Sequence, residues 1–460
     1  MPDLDAFRTA LNERLPALRR AHDVPAVSVA VGVGECTAAA ADGTLNLGTG
    51  VTATADAVFQ IGSITKAFTA TLAMQLVDDG FLDLDAPITA VLPGLRLSGA
   101  PAAPGITARR LLTHTGGFEG DVFDDTGAGD DALRDYVALL ADRTPALFPP
   151  GALWSYNNAG YCLLGRIVEV LRGQSWERAL RERILDPLRL GHAAVDAAEA
   201  VRQRVAVGHL APRPGAPLAP VPIWSMGRSN APAGSMLAMR AADLVTFARV
   251  HLHSGVAADG ARVLSADAVS AMQQAHVRLP DIAQGVAWGL GWELFEHGGR
   301  ALFGHDGSTI GQSALLRIEP QRGVVVAVLA NGGGARALMA ELMNGVMEDF
   351  ASAPRAAPPM PSGAPLGDTR RYEGRYASAT SVTEIVRKGD ALVLERTPVG
   401  IAEEVGDPPY VTALVRWRGE SFLPTESEDG VHQPVAFLGD DGAGRAEFLH
   451  VGRADRRVAS

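Results

Sequence analysis

The sequence predicts an α+β fold, an antiparallel sheet flanked by helices with a helical region beside it, followed by a separate all-β unit. Three observations carry this. An amphipathic helical stretch leads directly into a short β-branched run and a second run able to pair with it; four further strand-like runs precede another amphipathic helix ending at Phe350; and the last hundred residues break into short strands between turns. A chain of 460 residues exceeds what one core organises, so more than one domain is expected.

Asp3 to Ala21 places Phe7, Leu11, Leu15 and Leu18 on one helical face, with Pro16 expected to kink it. Pro25 to Val33 and Glu35 to Ala41 read as a β-hairpin. An apolar run ends at Phe59, and a helical pattern opens after Gly62-Ser63-Ile64-Thr65-Lys66. Thr107 is placed to cap a short helix before His114, a histidine between threonines that is better suited to ordering a loop than to catalysis. Phe148-Pro149-Pro150-Gly151 is a turn, and Trp154 to Asn158 forms a loop entering a strong helical stripe from Ala159 to Leu171, so Tyr156 and Asn158 are expected on that loop. Gln174 to Ile184 is expected to be helical, and the proline-rich segment Ala211 to Pro232 to run along the surface bordering a site. Gly234 then precedes a helix from about Ala241 to Leu252 and can allow close approach of backbone to a substrate.

Ala287 to Phe295, Leu302 to His305, Gln312 to Ile318 and Gly323 to Leu329 are expected to be antiparallel strands, with Ala335 to Phe350 a helix that shares one sheet face with the first helix. Prolines at 354, 358, 359, 361 and 365 mark 351–367 as a semi-rigid linker between a first domain, 1–350, and a second, 368–460. In the second, seven runs (Tyr372 to Tyr376, Ser381 to Val386, Ala391 to Leu394, Tyr410 to Val415, Ser421 to Leu423, Pro434 to Leu438 and Arg445 to Val451) predict a barrel or curled sheet.

The formal charge of −11 argues against nucleic acid or an anionic membrane as partner. The acidic start and the absence of a long apolar window lead us to expect a cytoplasmic protein. Cys36 and Cys162 have no ligand spacing and read as buried thiols.

Chemistry concentrates at Ser63-x-x-Lys66. Residues three apart on a helix share a face, and a desolvated lysine can take the proton that keeps a serine hydroxyl from attacking. Of 41 basic residues other than histidine, only Lys66 and Lys388 are lysines. Arginine holds its proton permanently, so a lysine kept here indicates that a removable proton is needed.

Three separated motifs, Ser63-Ile64-Thr65-Lys66, Tyr156-Asn157-Asn158 and His305-Asp306-Gly307, give the chain a resemblance to serine β-lactamases and penicillin-binding proteins, and among them to the class C β-lactamase-like esterases, carboxypeptidases and D-aminopeptidases. The resemblance implies Ser63 as nucleophile, Lys66 and Tyr156 sharing its proton in an order the sequence leaves open, Asn158 holding Lys66 and a substrate amide, and backbone NH groups of Ser63 and Ser308 as the oxyanion hole. His305 stands where many members carry the lysine of K-T-G, which favours the esterase and peptidase branch, and Gly307 with Gly234 would border the substrate. No metal or other cofactor is implied.

The β tail strengthens a likeness to penicillin-binding-protein-type thioesterases, whose second domain is lipocalin-like. That likeness implies a peptidyl thioester on a carrier protein as substrate and head-to-tail cyclisation of a nonribosomal peptide as reaction. The alternative is a cytoplasmic D-aminopeptidase, D-peptidase or esterase. Arg445 and Arg453 are candidate anchors on the tail, with solvated arginines the simpler reading of each.

Overall fold

The computed structural model describes residues 4–97, 100–101, 103–213, 215–362, 365–404, 406–428 and 430–459. Its centre is an antiparallel sheet of nine strands in the spatial order Val277–Arg278, Ala287–Trp288, Glu293–His297, Arg300–Thr309, Gln312–Glu319, Val324–Ala330, Ala26–Val33, Cys36–Asn46 and Val51–Thr52. The hairpin near the start of the chain therefore closes against the last long strand of the region, with Val27 opposite Ala330 and Val33 opposite Val324.

Alternation along Ala26–Val33 decides which helices lie on which face. Val27, Val29 and Val31 pack with Leu11 and Leu15 of the helix Leu4–Ala21 and with Leu338, Met347 and Phe350 of the helix Ala335–Ala351. Pro16 lies inside the first helix without ending it. The opposite face presents the small residues Ala26, Ser28, Ala30 and Gly32, which let the helix Ala241–Leu252 approach closely: a Cβ on Gly32 would lie 2.6 Å from Val245 Cγ1.

Beyond that helix lies the helical region, built around Thr65–Asp78, whose residues from Thr65 through Leu76 are all buried. A helix buried on every side needs no amphipathic stripe and gains its stability from packing. Beside it runs Asn158–Arg172, capped by Asn157, whose Oδ1 accepts from the Gly160 amide at 2.6 Å, and ended by Gly173 at φ 66°. Asn158 is thus the first helical residue rather than a loop residue, because Asn157 takes the cap.

Other expectations need correction. Ala287 to Phe295 is two strands, since Gly289 to Trp292 turns the chain and Gly291 takes φ 86°. The helix expected over 174–184 starts at Trp176 and widens into a π turn at Arg181–Leu185. Cys36 is exposed beside the hairpin turn, whereas Cys162 is buried.

The described residues between Ala351 and Thr369 carry no helix or strand. Eight strands follow and close into a barrel: Gly374–Ala377, Ser381–Lys388, Ala391–Pro398, Tyr410–Arg418, Ser421–Pro424, Val435–Leu438, Phe448–His450 and Ala454–Val458. The last had no counterpart in the sequence reading, and it closes the barrel by pairing with the first, Arg375 opposite Val458. Tyr376, Phe422, Phe437, Leu392 and Leu449 fill the interior, so the barrel is a packed core.

The barrel is seated on the loop that precedes helix Asn158–Arg172. The Tyr156 amide donates to Gly452 O at 3.0 Å, His450 Nε2 donates to Trp154 O at 2.8 Å, and the Ala454 amide donates to Ser155 Oγ at 3.1 Å. On the other side of the contact the Ala379 amide donates to Glu119 Oε2 at 3.2 Å.

Candidate active site

Ser63 lies in a 3-10 turn, Gly62–Ile64, that runs straight into Thr65–Asp78, so Lys66 sits in the first turn of the buried helix. Ser63 is half-buried and Lys66 wholly so. Lys66 Nζ donates to Ser63 Oγ at 3.2 Å, to Asn158 Oδ1 at 2.7 Å and to the Ala233 carbonyl at 2.6 Å. Three acceptors satisfy an ammonium or leave a neutral amine one lone pair to offer. Loss of water dominates the electrostatics and lowers the Lys66 pKa to about 7, with the Arg453 charge acting in the same direction and Asp121 opposing it.

The turn carrying Ser63 is held by close backbone contact. Gly62 takes φ 51°, and a Cβ there would fall 2.6 Å from Ser308 N, so the nucleophile turn and the edge of strand Arg300–Thr309 touch through their main chains. Gly234 and Gly307 both pack on this turn: Cβ atoms on them would lie 2.3 Å from Gly62 O and 1.9 Å from Ile61 O. The backbone amides of Ser63 and Ser308 are thereby brought to neighbouring positions.

Tyr156 completes the same cluster from the loop before the second helix. Its ring lies 4.8 Å below Lys66 Nζ and is stacked on His114 at 4.3 Å, and its buried hydroxyl has no hydrogen-bond partner among the described residues. Burial pushes its pKa well above the ordinary tyrosine value, against the lowering influence of Ser63 and Arg453, so it holds its proton at neutral pH. His114 orders the loop as expected: its Nδ1 accepts from the Asn157 amide at 2.9 Å, and burial holds its pKa well below 6.5.

His305 is buried on strand Arg300–Thr309, its ring 6.2 Å from that of Tyr156 and 5.4 Å from that of Trp288. Nδ1 contacts the Asp306 carbonyl, so Nδ1 carries the hydrogen and Nε2 presents an unpaired lone pair. Desolvation brings its pKa down to about 3, hence the ring is neutral. Asp306 points to the opposite sheet face, paired with Arg317 at 2.6 and 2.9 Å, and takes no part in the cluster.

Two residues of this neighbourhood were not singled out from sequence or were set aside. Asp121 Oδ1 accepts from Asn158 Nδ2 at 2.7 Å, and Arg453, from the barrel, donates to the same carboxylate through Nε at 2.8 Å and Nη2 at 3.3 Å. The only local signal for Asp121 was an acid pair, Glu119 and Asp121, just after Gly116-Gly117-Phe118. Arg445 is exposed and pairs with Asp441, as its simpler reading held. Among the described residues no group of three or more histidine, cysteine or acidic side chains is arranged to hold a metal ion, and no helix is long and apolar enough to cross a membrane.

Comparison with known proteins follows the same lines. The β-lactamase family profile matches residues 11–344. Penicillin-binding protein 4 of Amycolatopsis lactamdurans is 45% identical over 372 residues, 79% of this chain and 97% of that protein. The crystal structure of SurE superposes with a TM-score of 0.77 at 30% identity, covering 99% of this chain and 100% of SurE, and the structure of SurE with D-Leu gives a TM-score of 0.74 over the same shares. The D-amino acid amidase of Ochrobactrum anthropi SV3, with L-phenylalanine amide bound, has a TM-score of 0.60 at 26% identity over 72% of this chain and 91% of the amidase. With a serine and a buried lysine one turn apart and a family match spanning most of its length, the chain belongs to the β-lactamase and penicillin-binding-protein-like serine hydrolase superfamily.

Proposed function

We propose that the protein is a serine acyltransferase that accepts the peptidyl group of a linear nonribosomal peptide from a carrier-protein thioester and releases it by head-to-tail cyclisation. Ser63, Lys66, Tyr156, Asn158 and His305 are the residues assigned to the chemistry. Lys66, with a pKa of about 7, takes the Ser63 proton as Oγ bonds to the thioester carbon. The backbone amides of Ser63 and Ser308 hold the oxyanion. The C–S bond breaks and the thiol leaves with a proton passed through Tyr156, which stays protonated at neutral pH and so acts as donor. The peptide's own N-terminal amine then attacks the acyl-Ser63 carbon; the C–N bond forms, the C–O bond breaks, and Ser63 recovers its proton.

Full-length likeness to SurE, barrel included, is the observation that carries this reading, and it is supported by the D-Leu bound to that protein. A neutral His305 in place of a lysine suits an uncharged acyl chain, with Nε2 available to accept from a substrate amide. The barrel, lipocalin-like in this reading, walls the cleft beside Tyr156 and limits the water that would compete with the amine. The second reading, a cytoplasmic D-aminopeptidase, D-peptidase or esterase with water as acceptor, is supported by the likeness to the D-amino acid amidase.

Mass spectrometry distinguishes the two. Purified protein is given a linear peptide thioester ending in a D-residue, with Ser63→Ala in parallel. The expected product is lighter than the free acid by one water and absent with the variant. Free acid alone, formed only by the unaltered enzyme, would transfer the assignment to the hydrolase reading.

A further inference from the structure

The barrel contributes one charged side chain to the catalytic cluster, and the contacts it makes form an unbroken line. Arg453 grips both oxygens of Asp121 at 2.8 and 3.3 Å; Asp121 accepts from Asn158 Nδ2 at 2.7 Å; Asn158 Oδ1 accepts from Lys66 Nζ at 2.7 Å; Lys66 reaches Ser63 Oγ at 3.2 Å. The guanidinium also lies 4.8 Å from the centre of the Tyr156 ring, on the side chain assigned to proton donation. We propose that Arg453 is a positioning residue for the reaction: through Asp121 it fixes the Asn158 amide in the one orientation that aims its oxygen at Lys66, so that the barrel completes the catalytic apparatus.

The physics is that of an amide held at both ends. The two ends of a side-chain amide are nearly equal in shape, and only their partners decide which way it points. The Asp121 side chain is 6% exposed, and the Arg453 side chain that neutralises it is 36% exposed. Without Arg453 a buried anion would stand one amide away from Lys66, and a nearby anion holds a proton on an amine. The barrel would remain seated, because Gly452, His450 and Ala454 bind the 154–156 loop independently.

The expected signature lies in the pH profile. The histidines, tyrosines and cysteine beside Lys66 keep their charge through neutral pH, whereas buried Glu293, which acts on Tyr156, is raised well above the ordinary carboxylate range by desolvation, so Glu293→Gln joins the controls. His114 and His305 are held neutral, and burial raises the pKa values of Tyr156, Tyr161 and Cys162, the last to about 12. On the barrel side Asp455, hydrogen-bonded by Ser381 and near Glu119, is raised by burial to about 7. An Asp455→Asn control removes that titration.

The inference rests on the reading that Lys66 deprotonates Ser63, and a fluorophosphonate probe tests the two separately. Its rate of reaction with Ser63, followed from pH 5.5 to 9.5, is expected to rise on a single limb in the unaltered protein. Arg453→Gln should move that limb upward by roughly one pH unit. Arg453→Lys, which keeps the charge, should restore most of it, and Arg453→Gln with Asp121→Asn should return it toward its original position. Asp455→Asn and Glu293→Gln should each leave it in place. A limb in Arg453→Gln that superimposes on that of the unaltered protein overturns the proposal, as does loss of the limb in Asp455→Asn or Glu293→Gln. Labelling that persists in Ser63→Ala would instead overturn the assignment of the nucleophile.

Discussion

Replacing Lys66 by arginine is expected to lower the rate of Ser63 acylation by about a thousandfold or more while leaving a folded protein, a loss within the range for removing a positioned general base. Arginine keeps a positive charge and hydrogen-bond donors for Asn158 Oδ1 and the Ala233 carbonyl, but it cannot be deprotonated in a protein. If Lys66 merely supplied charge, arginine would serve. The larger guanidinium strains a site with no spare room, so Lys66→Met, which removes the proton acceptor at nearly constant volume, is the companion variant and should be equally inactive. Circular dichroism establishes the fold, and probe labelling measures the rate.

The same lysine makes a prediction about stability. Its pKa falls from 10.5 to about 7 on folding, so between these values the unfolded chain binds the extra proton. Stability therefore rises with pH through this window, by roughly 1.4 kcal/mol for each unit of depression, and the charged form is tolerated least below pH 7. The buried histidines, Cys162 and Tyr156 act elsewhere. The histidines held neutral act below their ordinary pKa of 6.5, and Cys162 and Tyr156, whose pKa values rise on folding, take stability away only above about pH 9. Urea unfolding between pH 7 and 9 should show a gain for the unaltered protein that is absent in Lys66→Met. Parallel profiles would mean that Lys66 is not buried in neutral form.

How much of this was legible beforehand depended on the range of the interaction. Ser63 and Lys66 are related by helical spacing alone, so a local pattern placed them together. The sheet was legible because its strands alternate or run apolar for several residues, as in Val324–Ala330. Ala454–Val458 was missed because, of its five residues, only Ala454 and Asp455 are buried, and Arg456 and Arg457 make it look like a tail. The break within 287–295 was hidden by Trp288, Leu290 and Trp292, which read as a strand face but are buried around a turn. Asp121 and Arg453 lie 332 residues apart in sequence, and no local periodicity reports a contact that only the docking of the barrel creates.

Gly307→Ala is expected to damage the site from a residue that carries no reactive group. The added methyl carbon would lie 1.9 Å from the carbonyl oxygen of Ile61, 2.9 Å from its carbon and 3.0 Å from Ser63 N. All three are main-chain atoms, so no side-chain rotation relieves the overlap. The nucleophile turn must retreat from the strand edge, which separates the amides of Ser63 and Ser308 and lengthens the 3.2 Å contact between Ser63 Oγ and Lys66. A misplacement near 1 Å can cost about a hundredfold in rate, and overpacking a well-filled region typically costs about 1–3 kcal/mol. The expected result is a rate reduced at least about a hundredfold together with a lower urea midpoint. Gly345 supplies the contrast within the same chain. It lies in the helix Ala335–Ala351, and apart from that helix's own backbone no heavy atom of the described residues comes within 4 Å of its would-be Cβ, so Gly345→Ala should leave the rate unchanged and raise stability by about 0.5–1 kcal/mol. If Gly307→Ala retained full activity, the turn could not be held as close to the strand edge as the contact implies, and the two amides would have to meet an oxyanion by some other support.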